Sequence, residues 1–405
     1  MPRLLILGVP ASAVARVAAL RDGGTELVVM DGKPADGVET IGEVVRADLS
    51  DPADCLLTAM RLHERVPLDG VMTLTEWAVP SCAAIAQGLR LRGNTYDTGI
   101  SLRRKDEMRR RWAAAGLPQP ESIAAASCDE AAEAAGRLGF PCVVKPADAS
   151  ASEGVSLVEE LAGVPAAYEA AARAARPGRH VLVEEFVRGA EVSVETVVCD
   201  ARPHVVAVTA KSLGPLPRFV EIGHLVPAPF DSTERDDVVR LTAAAHAALG
   251  CRYGVTHTEF KLTDRGPRLI EMAGRPAGDK ITTLVRLVYG VELIAAAAAA
   301  AIGLFTPPAD HAASGAAAIR FVCAAPGRVS RVTGLEEARR LVGVEAVEVS
   351  ARPGDMVPPL HRSQDRQGYV IATGVTGAQA QARAAAACRL LRIETAAADA
   401  WGSET

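Results

Sequence analysis

Lysine is the first scarcity. The 405-residue chain carries 44 Lys+Arg, yet only six of them are lysines: Lys33, Lys105, Lys145, Lys211, Lys261 and Lys280. Arginine supplies the bulk positive charge, so each surviving lysine hints at a place where a compact ammonium is wanted. Positive charge is not in excess either. The net charge of −5 argues against a protein built mainly to bind nucleic acid or an anionic membrane surface. The eight cysteines are scattered, with no C-x-x-C pair and no metal-ligand spacing. That speaks against a disulfide framework and for reduced, mostly buried thiols in a cytoplasmic protein. No G-x-G-x-x-G follows the first strand-like run, which leaves a dinucleotide site without support. Long apolar runs are also missing. "LIAAAAAAAIGLF" (293–305) falls short of the roughly 20 residues that a bilayer span needs and reads as a buried alanine-rich helix. In "MPRLLILGVP" the apolar stretch Leu4 to Val9 is shorter than a signal-peptide core and stops at Pro10. A first strand running into a helix is the better reading.

What is present is a globular composition, 49% hydrophobic and 23% charged, at a length that predicts two or three domains. "LLILGV" (4–9), "LVVMD" (27–31) and "GVMTL" (70–74) read as buried parallel strands with helices between them, a βαβ pattern and hence an open α/β sheet. The basic helix "SLRRKDEMRRRWAAAGLP" (101–118) is read as a solvated face with one functional lysine, because aromatics do not interleave with its arginines as in a nucleic-acid patch. Next come a strand, a small-residue loop and a strand over 139–160, a helix over 163–176, and two strands within 180–198. The region after residue 306 is β-rich and ends in a strand–helix pair.

Three segments carry chemistry. In "VVKPADASASEGV", Lys145 ends an apolar strand and the following loop is small and polar. Such a loop lets backbone N–H groups approach phosphate oxygens, with Ser150 and Ser152 adding hydroxyls; an ordinary strand connection is the competing reading. In "LVEEFVRGAEVSVE" an extended segment offers backbone groups to a base edge, and Glu191 could accept from ribose hydroxyls; a polar hairpin is the alternative. "HTEFKLTDRGPRLIEMAGR" (257–275) is the most informative. With a turn at Arg265, Glu259 and Glu271 lie six residues to either side and become cross-strand neighbours on one face. Two carboxylates about 5 Å apart repel by roughly 3 kcal/mol at an effective dielectric of 20. Protonation, a cationic side chain or a divalent cation would relieve this. Mg²⁺ suits such a pair, and a salt-bridged ladder with Lys261 and Arg275 competes with it.

The order of these segments (a lysine helix, a strand-end lysine with a small-residue loop, Glu-Glu-Phe-Val with a following Gly-x-Glu, and paired glutamates before an arginine) resembles the ATP-grasp superfamily. Within it, the chain is similar to the bacterial L-amino acid ligases of the alanine–anticapsin ligase type. The resemblance implies a Rossmann-like N-terminal domain (1–100), a two-part ATP-grasp core (101–305, hinge near 184–188) and a C-terminal β-rich lobe (306–405), a mixed α/β and α+β architecture. It implies that Lys105 and Lys145 hold the nucleotide phosphates under a loop running from Ser150 through Ser152 to Gly154. Glu184, Glu185 and Val187 would line the adenine edge, and Glu191 would bind the ribose. Glu259 and Glu271 would coordinate Mg²⁺ or Mn²⁺. Arg275 and the Gly278 backbone would stabilise the acyl phosphate and the oxyanion, His224 would lie near the reacting carboxylate, and Glu76 would meet the substrate ammonium. Where many ATP-grasp enzymes read Glu-x-Asn-x-Arg, this chain has Ala273, as the amino acid ligases also lack that Asn. Asp279, after Gly278, is placed to limit the substrate pocket. The implied activity is ATP-dependent carboxylate–amine ligation through an acyl phosphate, releasing ADP and phosphate. Its partners would be small carboxylate and amine substrates, amino acids first, with no nucleic acid and no membrane; a homodimer is left open. Transfer of an amino acid to a carrier protein is the alternative, and ATP binding without catalysis a further one.

Overall fold

The computed structural model describes residues 1–176, 178–307 and 312–396. The chain opens with a parallel sheet of β1 (Arg3–Leu7), β2 (Glu26–Met30), β3 (Glu43–Val45) and β4 (Gly70–Thr73), in the order β3-β2-β1-β4. Every residue of β1 is buried, as expected of a central parallel strand covered on both faces. The helix Pro52–Arg65 starts where Asp51 accepts from the backbone of Ala53 and Asp54, with proline in its first turn; both features favour a helix start.

A second sheet contains β5 (Ser122–Ala125), β6 (Cys142–Pro146), β7 (Ser156–Val158) and β8 (Val181–Glu185), ordered β5-β8-β6-β7. The helices Cys128–Leu138 and Val164–Ala174 cover one face of it with small buried alanines. The largest sheet begins with β9 (Ala190–Cys199), β10 (Arg202–Leu213), β11 (Glu221–Val226), β12 (Gly254–Thr263) and β13 (Gly266–Ala273). The C-terminal region adds β14 (Ala316–Val322), β15 (Gly327–Thr333), β16 (Val344–Val349), β17 (Met356–Val357), β18 (Gly368–Gly374) and β19 (Arg392–Ala396). Of these, β14, β18 and β16 extend the large sheet to the order β13-β12-β9-β10-β11-β14-β18-β16, while β17, β15 and β19 form a small sheet. The second sheet and the large sheet are joined at residues 186–189. Here Gly189 is required: a Cβ would stand 2.0 Å from the Leu262 carbonyl oxygen.

The alanine-rich helix Leu293–Ile302 is buried, as the sequence predicts. No single helix among the described residues is long and apolar enough to cross a membrane. Two expectations need correction. The helix Lys105–Ala114 is not merely a solvated face, because Arg109 and Trp112 on it are buried and only part of its basic surface meets water. Burial of the thiols is also less complete than expected: Cys55, Cys142 and Cys251 are buried, four others are half-buried and Cys323 is exposed.

Candidate active site

A cavity of about 470 Å³ lies where the second sheet, the large sheet and the helix Lys105–Ala114 face one another. Of the residues to which the resemblance gives a role, all but two line it: Glu76, Lys105, Lys145, Ser150, Ser152, Glu184, Glu185, Val187, Glu191, Glu259, Glu271, Arg275, Gly278 and Asp279. The two exceptions are Gly154 and His224. Gly154 turns away from the cavity at φ +71°, and a Cβ there would meet Ala174 Cβ at 2.8 Å and the Ala170 carbonyl at 3.1 Å. His224 is buried edge-on to Phe321 and reaches the cavity only through Asp279, 3.6 Å away.

The hairpin of β12 and β13 pairs Glu259 directly with Glu271, as expected, but by a different route. Thr263 pairs with Gly266, so the turn is centred between Asp264 and Arg265, and regular pairing from there would set Glu259 opposite Ile270. A register shift between Glu259 and Phe260 inserts Ile270 as an extra residue. This β-bulge interrupts strict alternation. Leu269 and Met272 both enter the core, while the consecutive residues Ile270 and Glu271 both line the cavity. One bulge thus supplies an apolar wall and a carboxylate side by side.

Cationic side chains already offset these acids. Lys105 Nζ is 2.8 Å from Glu271 and donates to the Ala149 carbonyl at 2.8 Å, tying down the start of the small-residue loop. Glu259 accepts from Lys211 and from His257 Nε2, the latter at 3.1 Å. Burial alone would raise the Glu259 carboxyl, but Lys211 and His257 overcome it and hold it well below the usual range. Burial would likewise depress His257, yet the buried Glu195 carboxylate, 2.9 Å from Nδ1, raises it to about 9. The Lys261 and Arg275 of the salt-bridged alternative bind elsewhere: Lys261 pairs with Glu191 at 3.0 Å and Arg275 with Glu76 at 2.6 Å.

On the opposite wall Lys145 Nζ lies 2.6 Å from Glu184, which also accepts from Arg109 at 2.8 and 3.1 Å. Burial pushes Glu184 up, but the two cations prevail and bring it down to about 2. Its side chain therefore serves as an anchor for Lys145 under the cavity floor. Beyond it, Glu185, Phe186 and Val187 run along the rim, and Phe186 faces Phe219 across 6.2 Å. The loop 150–154 carries left-handed backbone at Ala151 and Ser152, and Ser152 Oγ donates to the Phe219 carbonyl at 2.9 Å.

Several site residues were not singled out by their local sequence. Lys211 is enclosed by Glu259, Glu221 at 2.9 Å and Glu191 at 3.5 Å; its one signal is membership of the six lysines. His257 lies two residues before Glu259 on the same strand face, a spacing that alternation makes readable. Arg366 binds Asp279 at 2.6 and 2.9 Å and covers the Phe321 ring at 3.6 Å. Nothing in its local sequence marks it.

The donor set fits a nucleoside triphosphate with a hard divalent cation: lysines and a small-residue loop for phosphates, two adjacent carboxylates for the ion, and aromatic and aliphatic walls for a base. Comparison with known proteins agrees with this chemistry. Residues 138–284 match the ATP-grasp domain, and residues 320–396 match L-amino acid ligase C-terminal domain 2. The uncharacterized protein y4rH of Sinorhizobium fredii is 29% identical over 333 residues, covering 82% of this chain and 69% of that protein. An alanine–anticapsin ligase of Bacillus subtilis is 25% identical over 248 residues, 56% of this chain, and the match spans only 52% of the relative. The crystal structure of an L-amino acid ligase from Bacillus licheniformis superposes with a TM-score of 0.82 at 22% identity, over 98% of this chain and 99% of that one. The chain thus carries an ATP-grasp domain followed by an L-amino acid ligase C-terminal domain, the domain content of an ATP-dependent ligase.

Proposed function

We propose that the protein joins a carboxylate to an amine by way of an acyl phosphate made from ATP, with an amino acid as the activated substrate. The observation that carries this reading is the register of β12 and β13, which brings Glu259 and Glu271 together in one cavity with Lys105, Lys145 and Arg275. Pure nucleotide binding gives no reason for an arginine and an exposed glycine at the far end of that cavity.

In this mechanism Lys105 and Lys145 hold phosphate oxygens, and the loop 150–154 closes over them. Glu185 to Val187 edge the base, and Glu191 accepts from the ribose. Glu259 and Glu271 would hold Mg²⁺, which when bound screens the phosphate charge that otherwise repels an incoming carboxylate. The substrate carboxylate attacks the γ-phosphorus, and ADP leaves. Arg275 lies where charge then collects on the acyl oxygens, and Glu76 fixes its guanidinium until a substrate ammonium competes for the same carboxylate. The amine then attacks the acyl carbon and phosphate departs. Fixed cations around the cavity favour each of these charge shifts, and holding both substrates side by side supplies much of the acceleration.

The test is phosphate release from ATP by the purified protein against pairs of amino acids and amines. Release that requires a carboxylate substrate supports the reading. ATP binding without substrate-dependent release across a broad panel would replace it with the non-catalytic alternative.

A further inference from the structure

Beside the nucleotide cavity lies a second chamber of about 330 Å³, within the usual ~300–1,000 Å³ range of small-molecule sites. Arg275, Gly278, Asp279 and Arg366 belong to the walls of both spaces. Lys105, Lys145, Glu259 and Glu271 line only the first. The chamber therefore reaches the acyl end of the site without passing the phosphate-binding residues.

Its charged groups are unevenly satisfied. Arg275 is paired with Glu76 and Arg366 with Asp279. Arg16 donates to Thr282 Oγ1 at 2.6 Å and has Glu292 only at 3.8 Å, so most of its five N–H donors are uncommitted to an acid. Lys280 is different. Among the described residues no carboxylate is in salt-bridge contact with it, and its ammonium rests 4.9 Å from the centre of the Tyr369 ring. The nearby acid Glu348 instead accepts from the Tyr369 hydroxyl at 2.7 Å. Lys280 is also one of only six lysines in the chain, and it holds left-handed backbone at φ 61°, an unfavourable conformation for a long side chain. A half-buried ammonium over an aromatic ring, facing a chamber and without an acid, is a ready partner for an anion.

We propose that the second chamber seats the amine-bearing substrate and that Lys280, with Arg16 beside it, binds a carboxylate of that substrate. Within the amino acid substrates that the resemblance implies, Lys280 is then the residue that selects an acceptor with a free carboxylate. The proposal rests on the acyl-transfer reading above. In the transfer, the amine nitrogen bonds to the acyl carbon and the bond from that carbon to the phosphate oxygen breaks. Phosphate leaves with the electron pair, and the surplus amine proton passes to phosphate or water.

Hydroxylamine separates the two readings, because it captures an acyl phosphate as a hydroxamate and carries no carboxylate. Full-length wild type, Lys280→Met and Lys280→Arg would be assayed with hydroxylamine, with a panel of L-amino acids, and with the corresponding amino acid carboxamides as acceptors. Lys280→Met is expected to lower kcat/KM for amino acid acceptors at least tenfold more than it lowers hydroxamate formation. Lys280→Arg is expected to recover most of that loss, and wild type should favour the free acid over its carboxamide by a similar factor. Equal losses with both acceptor types, or wild type using carboxamides as well as acids, would overturn the acceptor site while leaving activation intact. Absence of hydroxamate with every donor carboxylate, with ATP still bound, would instead overturn the activation step and this proposal with it.

Discussion

Replacing Lys211 with methionine tests how the site tolerates its own acids. The ammonium is almost wholly buried, with Glu221 at 2.9 Å, Glu191 at 3.5 Å and Glu259 in direct contact. Burial alone would lower its pKa, but the three carboxylates hold it well above the usual lysine range. Oxygens of the three acids lie within 4.8 Å of one another. Two unit charges at that distance repel by roughly 3.5 kcal/mol at an effective dielectric of 20. Three acids make three such pairs, so the variant relieves more repulsion than it costs by protonating one glutamate, which near neutral pH, about three units above the ordinary glutamate pKa, costs about 4 kcal/mol. Protonation predicts a loss of about 4 kcal/mol, in the range for removing one partner of a buried ion pair. The assay is denaturant unfolding with a chelator and without nucleotide, across pH 5 to 8. The native variant would bind more protons than its unfolded chain, so its stability should fall as pH rises through this window relative to wild type. A stability and a pH profile that match wild type would refute the reasoning, since the acids would then not depend on Lys211.

Glu271→Gln should keep the fold by circular dichroism and lower substrate-dependent phosphate release by about 10² or more, the scale of losing one electrostatic contact in a preorganised site; full activity would sink the metal assignment. His246 is buried between the Thr242 carbonyl and the Thr256 hydroxyl, each at 2.7 Å, and burial pushes it down to about 4. Its contribution to stability is complete above pH 6.5 and is lost as pH falls toward 4, at a cost of roughly 3 kcal/mol. His246→Gln should flatten that slope in unfolding experiments, and an unchanged slope would remove His246 as its cause. Arg109→Met leaves buried Glu184 with Lys145 as its remaining cation and is expected to cost about 3 kcal/mol, read as a shift in the denaturation midpoint; a midpoint equal to wild type would count against the anchor role of this pair.

The sequence by itself determined the elements and most of the site's inventory. Apolar runs at 4–9, 27–31 and 70–74 read as buried parallel strands, because Asp31 and Thr73 are their only polar side chains. The economy in lysine pointed at six positions, of which Lys105, Lys145, Lys211 and Lys261 are drawn together around the cavity acids, Lys280 lines the second chamber and Lys33 is exposed; the Asp-Arg-Gly turn set up the hairpin carrying Glu259 and Glu271. Tertiary structure decided what periodicity cannot encode. The equal spacing of the two glutamates about Arg265 suggested their pairing, but the turn lies half a residue earlier and the bulge at Ile270 restores the match. A bulge depends on packing at Leu269 and Met272, both held in the core. Arg109 looked like one more surface arginine until the second sheet placed Glu184 over it. Arg366 and Lys280 meet Phe321 and Tyr369 only because β14 and β18 return the C-terminal region to the large sheet beside β11. These assignments depend on contacts between segments far apart in the chain, where charge partners and burial are set by folding rather than by neighbours in sequence.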